Sequence, residues 1–270
     1  MKNFMNILLN ERDYEILKIL EKKIGRNIVL LKKNEFQNPN DLYLYEIESG
    51  KDEREIEFEI IGQGLLNGIN VRDGRIKHLV LVSLELNRFI DEILELKDLT
   101  VLDISGNQID IIPQDISKFK NLKALILERN KLEFLPESIN QLENLQYLDL
   151  SYNNLKKIPE SIGNLKALKK LNLMYNNLND LPSSIWNLEN LEVFNISYNN
   201  IELIHDSIGN LKNLQKFNFG YNKISNLPLT LKNLKKLKLL EFNPELKKKF
   251  SAEVIQMLNE FERSVGFFYY

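Results

Sequence analysis

Residues 144–204 read NLQYLDLSYNNLKKIPESIGNLKALKKLNLMYNNLNDLPSSIWNLENLEVFNISYNNIELI and state one pattern three times. The tripeptide Tyr-Asn-Asn returns at equal intervals, at Tyr152, Tyr175 and Tyr198. Aligned on this period, six full units run from 99–121, 122–144, 145–167, 168–190, 191–213 and 214–236. A weaker unit, 76–98, precedes them, and a partial unit begins at Leu237. A period of this length indicates a repeat architecture, whose ends carry degenerate units.

Each unit combines two periodicities. In residues 145–151, LQYLDLS, Leu148 and Leu150 alternate with polar or aromatic neighbours, which predicts a strand with one buried face. Ile158, Ile162 and Leu165 are then spaced as on a short helical turn, with a proline suited to its first turn. A single strand and turn cannot bury these faces, but stacked copies can. The pattern therefore predicts a curved solenoid with parallel strands on its concave side.

The shared pattern, L-x-x-L-x-L-x-x-N-x-L-x-x-L-P-x-x-I-x-x-L-x-x, resembles the leucine-rich repeat family in its 23-residue LPxxIxxLxxL class. The resemblance covers residues 76–245. It implies an α/β solenoid, the leucine-rich repeat horseshoe with a parallel concave sheet. The chain is similar to Ras-group-related intracellular repeat scaffolds, which implies a non-enzymatic scaffold that binds a protein partner, with a small GTPase or a phosphatase as examples.

One asparagine recurs in every full unit, where the chain leaves the strand. Its amide has two donors and an acceptor, so we expect it to satisfy backbone groups of its own coil and the next. The members are Asn107, Asn130, Asn153, Asn176, Asn199 and Asn222. At the proline position, His205 replaces the proline found in five units, either as a surface substitution or as a pH-sensing group.

Residues 1–75 do not follow the repeat and predict a small α+β N-terminal cap module. Asn10 is a candidate N-cap for an amphipathic helix. Alternating segments at 42–48 and 53–61 predict a hairpin, and Asp73-Gly74 predicts a tight turn between two further strands. The module looks like the N-terminal extensions of some archaeal-type repeat proteins.

Residues 246–270 predict a C-terminal capping helix that begins after Ser251, followed by the aromatic tail GFFYY. The tail either folds back onto the cap or serves as a docking peptide for another protein. Upstream, residues 229–249 contain seven lysines and two glutamates. This run is either a solvated face or a patch for acidic lipid or nucleic acid.

The composition of the chain argues against several other classes of protein and of binding site. Lys and Arg number 36 against 38 Asp and Glu, so the net charge of −2 argues against nucleic-acid binding by bulk charge. The absence of cysteine excludes disulfides and thiolate metal sites. No signal peptide or apolar span is present, so we expect a cytoplasmic protein. Residues 62–68, GQGLLNG, predict a turn rather than a phosphate loop, and the sequence suggests no catalytic residue, cofactor or metal.

The expected functional surface is the concave face. In each strand the leucines point inward and their neighbours point to the concave side, beside a row of tyrosines. The predicted partner contacts are Tyr147, Asp149, Tyr152, Lys170, Asn172, Met174, Tyr175, Val193, Asn195, Tyr198, Asn218 and Tyr221. The tyrosines are either consensus packing or a recognition surface, because tyrosine offers large area with a polar tip.

The strands alone give a small surface. Eight strands about 4.8 Å apart project roughly 340 Å², whereas a stable interface needs about 800 Å² per partner. A tight protein partner should therefore also touch the tyrosine-side loops or an end module. The alternative function is a peripheral membrane protein tethered by the basic run and aromatic tail. A third hypothesis, a nucleotide-binding or enzymatic role for residues 1–75, lacks histidine, cysteine and a phosphate loop.

Overall fold

Each repeat unit forms one coil that consists of a strand, a tight turn and a return through a short 3-10 turn. In the computed structural model the chain is described over residues 2–4, 7–25, 28–30, 68–262 and 266–268. The coil strands are β5 (Arg75–Val80), β6 (Val101–Asp103), β7 (Ala124–Ile126), β8 (Tyr147–Asp149), β9 (Lys170–Asn172), β10 (Val193–Asn195), β11 (Lys216–Asn218) and β12 (Leu239–Glu241). The returns are η1 (Asp91–Glu95), η2 (Gln114–Lys118), η3 (Glu137–Gln141), η4 (Glu160–Asn164), η5 (Ser183–Asn187), η6 (Asp206–Asn210), η7 (Leu229–Asn233) and η8 (Pro244–Lys249).

The coil strands form one sheet in chain order, extended at both ends by further strands. The eleven-stranded sheet runs from β3 (Val29–Leu30) and β4 (Gly68–Arg72) through the coil strands to β13 (Gly266–Phe268). Its strands are parallel except for the β4–β5 hairpin. A separate hairpin pairs β1 (Lys2–Phe4) with β2 (Ile7–Leu9). The sheet does not close on itself, so the predicted horseshoe solenoid is confirmed.

Register between coils is set by the repeat itself. Leu148 pairs with Leu171, and Leu171 with Phe194, so equivalent positions stack along one spine. All three are essentially fully buried. A slip of one residue would turn this apolar row outward, and burying each side chain contributes about 1.5–3 kcal/mol. Towards the C-terminus aromatic side chains replace leucine, and the rings of Phe194 and Phe217 stack at a centroid distance of 5.7 Å.

The return of each coil begins one residue later than the sequence pattern indicated. Pro159 adopts an extended conformation and precedes η4 instead of lying in its first turn. Its carbonyl accepts a hydrogen bond from the backbone N–H of Ile162 at 3.1 Å. His205 occupies the same place before η6, and its ring Nδ1 accepts from the backbone N–H of Ser207 at 3.1 Å. Histidine therefore caps this turn with its side chain, a role that proline cannot perform.

The asparagine column has the predicted role, but it links each coil to the preceding coil rather than the next. Asn153 Oδ1 accepts from the backbone N–H of Leu132 at 3.0 Å. Its Nδ2 donates to the carbonyls of Leu127, at 2.9 Å, and of Leu150, at 3.1 Å. Each of the six asparagines makes this set of contacts. The amide completes the backbone hydrogen bonds that the turn leaves open.

The N-terminal helix packs on the first return. Helix α1 (Glu11–Ile24) begins at Asn10, whose side chain accepts from the backbone N–H of Asp13, and ends at Gly25, which has a φ of 70°. Asp13 is buried, and its carboxylate accepts from the backbone N–H of Ile76 at 2.8 Å. The helix therefore anchors the strand that begins the solenoid.

The Asp73-Gly74 turn is confirmed, since it joins β4 to β5 with positive φ at both residues. The hairpin predicted at 42–48 and 53–61 lies outside the described residues. The boundary between 1–75 and 76–245, and that before 246–270, stay predictions.

The C-terminal helix α2 (Ala252–Glu262) covers the last coil. Ser251 Oγ accepts from the backbone N–H of Val254 at 3.3 Å, as expected of an N-cap. Val254 and Leu258 are buried, while Phe261 lies beyond the residues with described side chains. Strand β13, within the aromatic tail, pairs with β12 in parallel. Residues 266–268 of the tail thus fold back as predicted, and the element they pair with is the strand of the last coil.

Candidate functional site

The concave strand face is largely buried. Six of the predicted contact residues are buried rather than exposed: Tyr147, Asp149, Lys170, Asn172, Val193 and Asn195. Side chains on this shorter side of the curve pack against their neighbours on adjacent strands, which lie about 4.8 Å away. Tyr147, for example, belongs to a small apolar cluster with Val101, Ala124 and Ile126. The expected exposure is therefore wrong for these six residues, and their role in binding stays a prediction.

Asp103, Asp149 and most of their equivalents in other coils lie at the ends of the strands, where their side chains accept backbone hydrogen bonds. Asp149 Oδ1 accepts from the backbone N–H of Ser151 at 2.9 Å and from its hydroxyl at 2.6 Å. Its Oδ2 accepts from the hydroxyl of Tyr147 at 2.8 Å and from Asn172 Nδ2 at 3.1 Å. A side-chain oxygen that accepts from the N–H two residues on closes an Asx turn. The same contact recurs at Asp103, Asn172, Asn195 and Asn218.

Four tyrosines form a continuous stack one residue before the asparagine column. We call Tyr152, Tyr175, Tyr198 and Tyr221 the tyrosine ladder. Successive ring centroids lie 4.5, 4.0 and 4.2 Å apart, with interplanar angles of 16° or less. The consensus-packing interpretation of these tyrosines is thus confirmed as far as stacking goes, while their recognition role stays a prediction.

The ladder residues occupy strained backbone positions. Each has a φ between 51° and 54°, in the left-handed region, where a residue with a side chain costs about 1–2 kcal/mol. Stacking contributes about 0.5–1.5 kcal/mol per ring pair beyond area burial, which offsets part of this cost. The coil spacing brings the rings into contact, and the contact fixes their side-chain torsions.

Stacking leaves ring edges and hydroxyls, rather than ring faces, at the surface. Tyr175 and Tyr221 are 38% and 42% exposed, while Tyr152 and Tyr198 are half-buried. Burial, followed by hydrogen bonds with the side chains of Tyr175 and Tyr221, raises the pKa of the Tyr198 hydroxyl. The ladder therefore presents a row of hydroxyls that are fixed relative to one another.

A charged pair closes the N-terminal end of the ladder. The Arg129 guanidinium lies 4.6 Å from the centroid of the Tyr152 ring, and its Nη1 is 2.8 Å from Glu128 Oε1. Burial, and then repulsion from Asp149 and Asp103, raises the pKa of Glu128 to about 7, although Arg129 opposes this shift. Sequence reasoning missed both residues. Arg129 holds the ladder position in the unit before that of Tyr152, so its place in this column was the available signal.

The remaining predicted contacts surround the ladder. Met174 and Asn218 are half-buried on the strand side. On the other side the exposed side chains of Asn154, Asn177 and Lys223 follow the asparagine column. The structure thus places the tyrosine ladder, the amides of Asn154 and Asn177 and the thioether of Met174 in one surface strip. The buried strand columns lie apart from this strip.

Within the described part of the chain, no three His, Asp or Glu side chains are placed to hold a metal ion. Over the same residues no helix is both long and apolar enough to cross a bilayer. In the basic run, Lys232, Lys235, Lys236, Lys238, Lys248 and Lys249 are exposed. Exposure fits both a solvated face and a patch for acidic lipid or nucleic acid, so the choice between these two interpretations stays a prediction.

Two family profiles match the repeat region. The profile described as "Leucine-rich repeat region" matches residues 136–264, and that described as "Leucine Rich Repeat" matches residues 98–119. No curated protein was found to match the chain.

Two similar solved structures are repeat proteins. A leucine-rich repeat protein of Leptospira interrogans is 28% identical, over 72% of this chain and 60% of the other, with a TM-score of 0.45. The plant peptide hormone receptor RGFR1, in complex with RGF2, is 28% identical over 58% of this chain and 27% of the other, with a TM-score of 0.52. The chain thus spans less than two thirds of either protein. The similarity of residues 1–75 to archaeal-type extensions finds no support in these matches.

Proposed function

Since the chain is a leucine-rich repeat protein, we propose that it is a non-enzymatic interaction module which binds a protein partner along the tyrosine ladder. The ladder is the observation that carries this proposal. Three ring spacings of 4.5, 4.0 and 4.2 Å give a fixed strip about 13 Å long. Side chains that are already ordered lose little conformational entropy on binding, which favours affinity.

The chemistry of the strip favours a polar, hydrogen-bonding partner surface. Tyrosine hydroxyls both donate and accept, and the flanking amides of Asn154 and Asn177 do the same. Tyrosine and asparagine are typical of surfaces that recognise proteins. The repeat receptor that is 28% identical to this chain was solved in complex with RGF2, which supports an interaction role for such a scaffold.

The burial of the strand columns moves the proposed contact area away from the centre of the concave face. The strip alone is smaller than the roughly 800 Å² per partner of a stable interface. The partner must therefore extend onto the turns that follow the ladder, around Lys131 and Lys223, both exposed. A small GTPase or a phosphatase as partner, a scaffold role in signalling and a cytoplasmic location stay predictions.

Site-specific photo-crosslinking tests the proposal. A photo-reactive phenylalanine analogue at Tyr175 should capture a discrete partner from the native cell extract. The matched control carries the same group at Phe134, an exposed aromatic residue outside the ladder. Capture of the same proteins, in the same amounts, from both positions would contradict a ladder-centred interface.

Conservative variants then separate recognition from packing. Tyr175→Phe combined with Tyr198→Phe keeps the stack but removes two hydroxyls. We expect it to weaken binding of the captured partner by about tenfold or more, because buried hydrogen bonds are lost. Its melting temperature should stay near that of the wild type. Unchanged affinity in this double variant would mean that the ladder serves packing alone.

The membrane-tethered alternative makes an opposite prediction. Binding to anionic vesicles that is salt-sensitive, and lost on deletion of residues 247–270, would favour it. In the structure the tail residues 266–268 are already paired with β12. They are therefore engaged within the fold, which favours the interaction module.

A further inference from the structure

The first three coils and the Asp73-Gly74 turn border an open polar recess of about 290 Å³. It is lined by Arg72, Asp73, Lys77, Thr100 and Lys123. Lys77, Thr100 and Lys123 occupy equivalent positions in successive units, near the start of strands β5, β6 and β7. The tyrosine ladder follows the other ends of the strands. The recess is therefore separate from the strip assigned to a protein partner, and it does not depend on that assignment.

The backbone acceptors at the recess are already used. The carbonyl of Lys77 accepts from the backbone N–H of Thr100 at 2.7 Å and from its hydroxyl at 3.2 Å. The carbonyl of Thr100 accepts from the backbone N–H groups of Lys123, at 2.7 Å, and of Ala124, at 3.1 Å. Both carbonyls are thus saturated by donors of the fold. A ligand in the recess meets side-chain cations rather than free acceptor oxygens.

The cations are incompletely paired. Lys123 Nζ forms no ion pair with any described residue. Lys77 Nζ lies 3.3 Å from Asp98, but that carboxylate is held more closely by Arg75, at 2.6 Å. Arg72 lies 3.9 Å from Asp73 in an exposed pair, which is worth little in water. Three positive side chains against one carboxylate leave the lining with two net positive charges in a chain whose own net charge is −2.

We propose that this recess binds a phosphate group. The two net positive charges match a phosphate dianion, and the Arg72 guanidinium offers the planar fork that pairs with two phosphate oxygens. Lys77 and Lys123 act as point charges from neighbouring coils. A volume of about 290 Å³ also leaves room for the group that carries the phosphate. The phosphate comes either from a small phosphorylated compound or from a phosphorylated side chain.

The repeat supplies a matched control. Lys169 occupies the same position as Lys123, two coils further on, and is likewise half-buried. Lys169 is not part of the recess lining, and among the described residues the β4–β5 turn lies beside the first coils. Lys169→Glu therefore changes the net charge by the same amount as Lys123→Glu but leaves the recess intact.

Calorimetry and amide NMR titration with inorganic phosphate, at constant low ionic strength, test the proposal. We expect saturable shifts at Asp73, Gly74, Lys77 and Thr100. Lys123→Glu should weaken binding by at least about tenfold, whereas Lys169→Glu should bind like the wild type. Asp73→Asn removes the one carboxylate of the lining while suiting its left-handed turn, so it should bind phosphate more tightly.

Three results would overturn the proposal: no saturable shifts, shifts centred on Lys247–Lys249, or equal losses in Lys123→Glu and Lys169→Glu. If Lys123→Glu does not fold, Lys123→Gln must still weaken phosphate binding more than Lys169→Gln does. Titration with a short phosphoserine peptide, with its unphosphorylated form as control, and with free O-phosphoserine identifies the source of the phosphate. Tighter binding of the phosphopeptide than of free O-phosphoserine assigns the recess to a phosphorylated side chain, whereas equal or weaker binding of the phosphopeptide assigns it to a small phosphorylated compound.

Discussion

Asp149 takes part in four hydrogen bonds while only 5% exposed, and it marks the end of a strand rather than an open surface. A polar residue that alternates with leucines is ordinarily assigned to the solvent side of a strand. Here the opposite side of the strand is also covered, because side chains of neighbouring coils pack over it. The recurring asparagines were assigned correctly from the pattern, since a strand end must satisfy its backbone groups. The Asp149 column carries equally polar residues, and only the placement of adjacent coils identifies its function.

Glu128 should make folding stability depend on pH. Its pKa is raised from 4.5 to about 7 in the folded protein, so the folded state holds a proton that the unfolded chain releases. The contribution of Glu128 to the free energy of unfolding is therefore greatest at low pH. This contribution falls as pH rises from 4.5 to 7 and is fully lost above that window. Glu128→Gln removes the buried charge. We expect it to stabilise the protein at about pH 8 by on the order of 1–3 kcal/mol, with no gain near pH 4.5.

Urea denaturation of the wild type and Glu128→Gln across this pH range measures the effect. Glu133→Gln is the control, because Glu133 pairs with Lys156 in an exposed position. If the free energies of unfolding of the wild type and of Glu128→Gln change in parallel with pH, Glu128 titrates as an ordinary surface carboxylate.

At the scale of the element, neighbouring 3-10 returns pack so closely that some of their positions leave little room for a side chain. A Cβ added at Gly163 in η4 would lie 2.4 Å from the backbone oxygen of Ser184 in η5. At Gly209 in η6 the nearest atoms, of Thr230, would lie 3.0 Å away. In the next coil, Trp186 occupies the position equivalent to Gly163, and its side chain is buried against Phe194. The sequence predicted a helical return at each proline. It did not predict that η4 needs a small residue, because that requirement depends on the distance between η4 and η5.

Gly163→Ala should destabilise the protein by roughly 1–3 kcal/mol, because the backbone of the next return cannot move aside cheaply. Gly220→Ala is the matched control, since its added Cβ would meet nothing closer than 3.4 Å. The free energy of unfolding in urea distinguishes the two variants. Equal stability of both alanine variants would contradict the close packing of η4 on η5.

At the scale of the whole molecule, each coil is stabilised by its two neighbours, so the ends decide how far the array stays folded. Helix α1 is linked to the first return by Lys23, 2.6 Å from Glu92, and by an ion pair between Arg12 and Glu95. Helix α2 buries Val254 and Leu258 at the other end. The roles of these ends as caps follow from the apolar edge that an open solenoid exposes.

Leu258→Ala should loosen the C-terminal coils first. The loss of a fully buried leucine costs about 2–5 kcal/mol, and in a nearest-neighbour array the cost falls on the coils next to it. We expect amide hydrogen exchange to accelerate in β11 and β12 while β7 and β8 keep their protection. Asn259→Ala, at an exposed neighbouring position, is the control. Uniform acceleration over all coils would indicate one cooperative unit instead.

The sequence by itself determined the solenoid, the register of its coils, the role of the asparagine column and the turn at Asp73-Gly74. These features are local or recur in every unit, and a periodic pattern specifies both the buried face and the residues that must stack. Only the tertiary structure decided which polar columns are buried, how the tyrosines stack with Arg129 over the first ring, and that Arg72, Lys77 and Lys123 share one recess. Those outcomes depend on distances between side chains of different coils, which the curvature and spacing of the folded sheet set and no single repeat encodes.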